Sequence, residues 1–191
     1  LEALHIAANI FGSAEMRART EQKLLRRQRT LNVLHEIVLV SLQSDDLLSM
    51  SQTLVDRLEE LISADGCFLS LWNENNQQAI PLAAYGPYKD TYRSIVTKPG
   101  ELTFTKSVLN LRQTLAGEGT SSTAYAERYI VQNFWARSVL ALRVISGKKK
   151  IGAIMLSFNK THRFQPEEIA ISEQAAGLIA LALEKFQAME Q

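Results

Sequence analysis

Catalysis requires a nucleophile beside a base, or two ionisable groups held at different pKa values. The chain presents its ionisable groups scattered instead. His5 and His35 fall in an N-terminal helical stretch and His162 in a loop before Phe164. None has a second ligand at helical or hairpin spacing, so each reads as a solvated surface histidine, and no metal site is expected. The pairs Glu59–Glu60 and Glu167–Glu168 are adjacent on helices, where neighbours point about a hundred degrees apart and cannot share a substrate. They read as solvated faces or caps. Cys67 is the only cysteine and opens an apolar run, which fits a small buried hydrophobe. The remaining distinctive group is an aromatic-rich middle: Tyr85, Tyr88, Tyr92, Phe104, Tyr125, Tyr129, Phe134 and Trp135.

Elements must position these residues, and 191 residues at 46% hydrophobic supply one good core plus an appendage. Residues 1–43 contain no proline and a polar run rich in helix formers, Arg17 to Thr30, and read as one long helix. Ile10, Leu24, Leu31 and Val38 share a seven-residue repeat, with Leu34 three residues after Leu31, while Arg17, Thr20 and Arg27 interrupt it. Two readings stand: a parallel two-stranded coiled coil through Leu24, Leu31, Leu34 and Val38, or a solvated helix packed on its own domain. Ser44, Asp45 and Asp46 can cap a second helix with Leu47, Met50, Leu54, Leu58, Leu61 and Ile62 on one face. Cys67–Trp72 and Ala79–Tyr85 form a hairpin around Asn73–Asn76, and Val139–Ile145 with Ile151–Phe158 a second around Ser146 and Gly147. The middle is irregular, with short helices expected over Thr105–Leu111 and Ala124–Asn133. Pro166 with Glu167 and Glu168 starts a terminal apolar helix.

The closing third carries a family likeness. Ser138 to Leu142 resembles the penultimate strand of the GAF domain, and Ile151, Gly152, Ala153, Ile154, Met155, Leu156 resembles its following strand. Phe164 with Glu167 and Glu168 resembles its helix start, and Ala175, Ala176, Ala182, Leu183, Glu184 its closing helix. Asp65, Gly66 and Cys67 match the family's approach to its first strand. The resemblance implies an α+β, profilin-like fold, with a central antiparallel sheet, helices on one face, and a long connector helix in front. It divides the chain into a connector, residues 1–43, and a GAF domain, residues 44–191. Laying Ala7, Ala8 and Ala14 over Ala175, Ala176 and Ala182 puts Arg17 on Lys185, so residues 1–19 resemble the tail helix of a preceding GAF domain.

The resemblance implies a non-catalytic sensor module of a bacterial two-component protein, a histidine kinase or a regulator. Such a module binds a small organic ligand in a pocket over the sheet face opposite the helices and relays its state through the N- and C-terminal helices. Tyr85, Phe104, Tyr125, Tyr129, Phe134 and Trp135 would wall that pocket; the alternative is that the aromatics fill the space and the chain is a ligand-free dimerisation and relay module. Arg143 stands where the family often has proline. It shares a strand face with Val139 and Ala141, as an anchor for an anionic ligand or as a solvent-facing arginine. Bilin-binding relatives attach through a cysteine in the later half of the domain, where this chain has none, so no covalent bilin is implied. Cyclic-nucleotide relatives carry an asparagine, lysine, phenylalanine, aspartate and glutamate set without a match here. No cofactor is identified.

Twenty-one basic against twenty acidic residues argue against nucleic acid as a partner. A single cysteine fits a reducing, cytoplasmic compartment, and no apolar stretch approaches the roughly 20 residues that cross a bilayer. A homodimer through the connector and terminal helices is the expected assembly.

Overall fold

The computed structural model describes the backbone of residues 2–118 and 136–189 and the side chains of residues 15–117 and 136–189. The first helix, α1 (Glu2–Gln43), packs on the domain near its end, where Val33, Leu34 and Ile37 are buried. α2 (Leu47–Ile62) starts where the Asp46 carboxylate accepts the Ser49 backbone N–H at 2.7 Å. It buries Met50, Leu54, Leu58 and Ile62, one every four residues, as its periodicity requires, with Val55 beside them. Burial of each such side chain is worth about 1.5–3 kcal/mol. Arg57 on α2 pairs with Glu36 of α1 at 2.9 Å across their contact.

Five strands follow: β1 (Gly66–Asn73), β2 (Gln78–Tyr85), β3 (Leu115–Glu118), β4 (Ser138–Ser146) and β5 (Lys149–Phe158). They form one antiparallel sheet in the order β2-β1-β5-β4-β3. The Asn73 side chain accepts from the Asn75 and Asn76 N–H groups at 3.0 and 3.2 Å, which closes the first hairpin. Gly147 closes the second at φ +58°. The two hairpins join at the centre of the sheet, where Leu71 faces Gly152 and Ser70 faces Ala153. A Cβ on Gly152 would stand 2.0 Å from the Ser70 carbonyl oxygen, so only glycine fits there. A short 3₁₀ turn (Tyr92–Ser94) and α3 (Phe104–Leu111) lie between β2 and β3, and α4 (Pro166–Met189) closes the chain.

Alternation sorts the strand residues. Leu69, Leu140, Leu142, Ile154 and Leu156 face a core shared with Ile37, Leu54, Leu58, Ile179 and Leu183, so α1, α2 and α4 cover one face. Phe68, Ser70, Trp72, Ala141 and Ala153 face the other side, where Val108 and Leu109 of α3 pack on Trp72, Ala141 and Ala153. The β2 edge is covered by side chains: Thr97 donates to the Ala79 carbonyl, and Gln52 to that of Ala84 at 3.0 Å. Among the described residues no helix is long and apolar enough to cross a membrane.

Both expected hairpins, α2 and the helix expected from Thr105 form with boundaries shifted by at most three residues. β3 escaped the sequence reading, because four residues containing Gly117 carry no alternating signal. The helix expected over Ala124–Asn133 lies outside the described residues. The long helix packs in part as a connector seam would not: Leu34 is 6% exposed in the domain's own core, whereas Leu24 and Leu31 are 61% and 57% exposed and Val38 is half-buried. Leu34 is therefore removed from the dimer seam, since on a 3.6-residue helix it turns with Val33 and Ile37 toward α2 and the core.

Candidate functional site

A cavity opens on the sheet face away from α1, α2 and α4. Its floor comes from β1 and β5, through Phe68, Ser70, Ala153 and Met155; its walls come from Ala79 and Pro81 of β2, Ala141 of β4, Tyr92 and Ile95 of the 3₁₀ segment, and Thr103, Phe104 and Thr105 at the start of α3. The space open to the centres of water molecules is about 60 Å³. All the cavity-lining side chains just named are uncharged.

Three hydroxyls meet in this apolar setting. Ser70, 3% exposed, lies 2.6 Å from Thr105 Oγ1 and 3.4 Å from the Ala153 carbonyl oxygen. The Tyr92 hydroxyl also bonds to Ser70; burial drives its pKa above the ordinary phenol range, and the bond to Ser70 pulls the other way. The Tyr92 ring packs on Phe68 with centroids 5.2 Å apart. Thr103 does not turn to the ligand space with its oxygen, because it caps α3 by accepting the Lys106 N–H at 3.1 Å. Among the described residues the arrangement offers apolar walls, donors and acceptors of hydrogen bonds, and no general base.

Of the residues expected at the site, Phe104 lines the cavity. Tyr125, Tyr129, Phe134 and Trp135 lie outside the described residues. Tyr85 is on the wrong face: it pairs with fully buried Cys67 and packs on the helical-side core. Counting by twos from Ala79 and Pro81 would bring Tyr85 to the cavity, but a bulge at Leu82, where pairing jumps from Leu69–Ala83 to Ser70–Pro81, turns the end of β2 over. Arg143, half-buried, sits on the cavity face in register with Ala153 but does not line the cavity. The residues missed were Ser70 and Thr105; the available signal was a serine between Leu69 and Leu71 in an otherwise apolar strand.

Cys67 is sealed in the helical-side core, and burial, then the charges of Asp56 and Glu59, push its thiol far above the ordinary range. His162 is not the solvated histidine expected. Its ring stacks on Phe158 at 4.2 Å, its Nε2 lies 2.8 and 2.9 Å from the two Glu168 carboxylate oxygens, and its backbone N–H donates to Ser138. It fastens the start of α4 to the end of β5, far from the cavity. Glu168 is thereby a partner rather than a solvated acid.

The sequence model of the GAF domain matches residues 46–183, and the chain belongs to that family. Solved structures share the fold. The GAF domain of a phosphoenolpyruvate-protein phosphotransferase from Coxiella burnetii superposes with a TM-score of 0.73 at 19% identity, covering 85% of this chain and 97% of that one. The GAF domain of a two-component sensor histidine kinase from Bacillus halodurans gives 0.64 at 19% identity, covering 78% and 100%. The free methionine-R-sulfoxide reductase of Neisseria meningitidis, solved with its substrate, gives 0.66 at 14%, covering 83% and 91%. Among curated protein sequences none matches the chain.

Proposed function

We propose that the chain is a non-catalytic sensing module of a bacterial two-component protein, in which a small molecule in the cavity biases the packing of α1 and α4. The observation that carries this reading is the division of the sheet. A cavity with buried hydroxyls occupies one face, while the chain's first and last described helices pack together on the other. Lys185 of α4 donates to the Ser41 and Leu42 carbonyls at the end of α1, at 3.4 and 3.3 Å, so the two helices are tied where one ends. The likeness to a sensor histidine kinase domain supports the setting. Cys67 lies on the far side of the sheet from the cavity and supplies no thiol to it. Residues 1–43 serve as a connector to a preceding domain, of which residues 1–19 would be the tail helix, and residues 44–191 as the sensing domain, in the cytoplasm.

We place the homodimer contact on α1. Residues 15–29 are exposed throughout, and an isolated helix of that length is marginal in water. Leu24, Leu31 and Leu42 lie along one exposed stripe beside Val38. The second reading, a ligand-free dimerisation and relay module, is favoured by the size of the cavity, well below the roughly 300–1,000 Å³ of drug-sized sites.

Native mass spectrometry of the purified chain over a range of concentrations tests both. A mass excess that disappears on denaturation supports sensing; an unliganded dimer favours the relay module. A monomer at all concentrations removes the α1 contact.

A further inference from the structure

We infer that the cavity selects a small uncharged ligand, apolar over most of its surface, whose single hydroxyl or amide group hydrogen-bonds to Thr105. The inference rests on the reading of the cavity as a ligand site.

The polar count decides the class. Each hydroxyl carries one proton and two lone pairs. Ser70 and Thr105 share a hydrogen bond at 2.6 Å in which either hydroxyl can donate, Ser70 lies 3.4 Å from the Ala153 carbonyl oxygen, and Tyr92 also bonds to Ser70. Among the described residues Thr105 Oγ1 has only Ser70 as a side-chain partner, so it keeps hydrogen-bonding capacity for a ligand, on a residue 7% exposed at the cavity wall. A single neutral hydrogen-bonding group completes this set. A carboxylate or phosphate could accept the Thr105 proton, but it would be buried there as an unpaired charge. An ammonium group could donate, but the lining side chains described offer no counter-charge, and an unpaired charge buried among Phe68, Ile95 and Ala141 is costly. With about 60 Å³ open to water centres, the occupant has only a few non-hydrogen atoms.

Four molecules that share a three-carbon chain separate these chemistries: propionamide, 1-propanol, propionate and propylamine. Met155 lines the cavity and reports on it, whereas Met50 lies in the core on the helical side. In the chain labelled with ¹³C at its methionine methyls, propionamide and propanol are expected to shift the Met155 signal saturably at millimolar concentration, and propionate and propylamine are not. Thr105→Val, which keeps the volume and removes the oxygen, is expected to weaken propionamide binding about five- to ten-fold, while Thr105→Ser retains it. If Thr105→Val does not fold, Ser70→Ala, which strips Thr105 of its hydrogen-bond partner, is expected to change the affinity by at least two-fold.

Equal shifts from propionate, or binding unchanged in Thr105→Val, overturn the inference. If none of the probes moves Met155 while a charged or larger ligand co-purifies, the ligand class falls and the sensing function stands. If nothing binds and nothing co-purifies, both fall.

Discussion

Replacing Gly152 with alanine tests the central seam of the sheet on which cavity and helices both depend. The added Cβ would stand 2.0 Å from the Ser70 carbonyl oxygen, 3.0 Å from the Ser70 carbonyl carbon and 3.1 Å from Leu71 Cα. All three atoms are backbone, so no side chain can swing away. Relief requires β1 and β5 to part by about 1 Å at a spacing normally held near 4.8 Å. Overpacking costs about 1–3 kcal/mol and sometimes more, offset by about 0.4–1 kcal/mol from the stiffer unfolded chain. With backbone on both sides, the upper end of the range applies, and the net loss is expected to be about 2–3 kcal/mol. Gly177→Ala is the internal control: it lies in α4, and its Cβ would meet nothing within 4 Å. That substitution should gain about 0.5–1 kcal/mol. Urea unfolding followed by circular dichroism, with a shared slope, reads both. A Gly152→Ala loss below 1 kcal/mol, or equal losses at the two sites, would refute the close-approach argument.

His162→Ala removes the stack on Phe158 and the pair with Glu168 at the start of α4, and should cost about 1–2 kcal/mol in the same assay. Ser51→Ala deletes a buried hydroxyl without a partner among the described atoms and should leave stability unchanged or raise it by about 1 kcal/mol, read as a shifted urea midpoint. The Asp46 carboxylate is held below its ordinary 3.8, first by the Ser49 backbone N–H. Its contribution is therefore complete above 3.8 and lost as the pH falls through the lower folded-state value, so the stability gap between the chain and Asp46→Ala should close under acid and persist at neutral pH. Cys67, buried and with its thiol pushed up, should resist iodoacetamide in the folded chain at pH 8 and take up one carbamidomethyl group in urea, seen by intact mass.

What the sequence disclosed follows from how local its cause was. The face of α2 was legible because Met50, Leu54 and Leu58 repeat within one helix. The hairpin turns were legible because Asn73 and Gly147 act within a few residues of themselves. The hydroxyl cluster was not, because Ser70 and Thr105 meet across 35 positions through the placement of α3 over β1. Tyr85 was misplaced by a single inserted residue, Leu82, since a period of two turns every later side chain over. Leu34 was misassigned because one helix carries two apolar stripes, and only the packing of α2 against α1 says which is filled. His162 found its partners in Phe158, four residues back around a turn, and in Glu168 on the next helix, neither at the regular spacing that was sought.

The size of the cavity bounds what a ligand in it can do to the helices. A ligand moves an equilibrium only by its difference in affinity between two states, and the best very small ligands reach about 1.5 kcal/mol per non-hydrogen atom. An occupant of about four atoms thus has a ceiling near 6 kcal/mol, and carrying a two-state element from 1:99 to 99:1 takes about 5.5 kcal/mol. Nearly all of the binding energy would have to be differential. A route for it exists in the strand itself, since Leu69 and Leu71 flank Ser70 and pack on the helical side, so β1 cannot shift on one face alone. A second contact runs around the edge of the sheet, where Thr114, just beyond α3, donates to Glu173 of α4. For a ligand this small to switch the module, the two packings of α1 and α4 must already lie within a few kcal/mol of each other. That places the burden of tuning on weak, half-exposed ties such as Lys185 to the end of α1 rather than on the core.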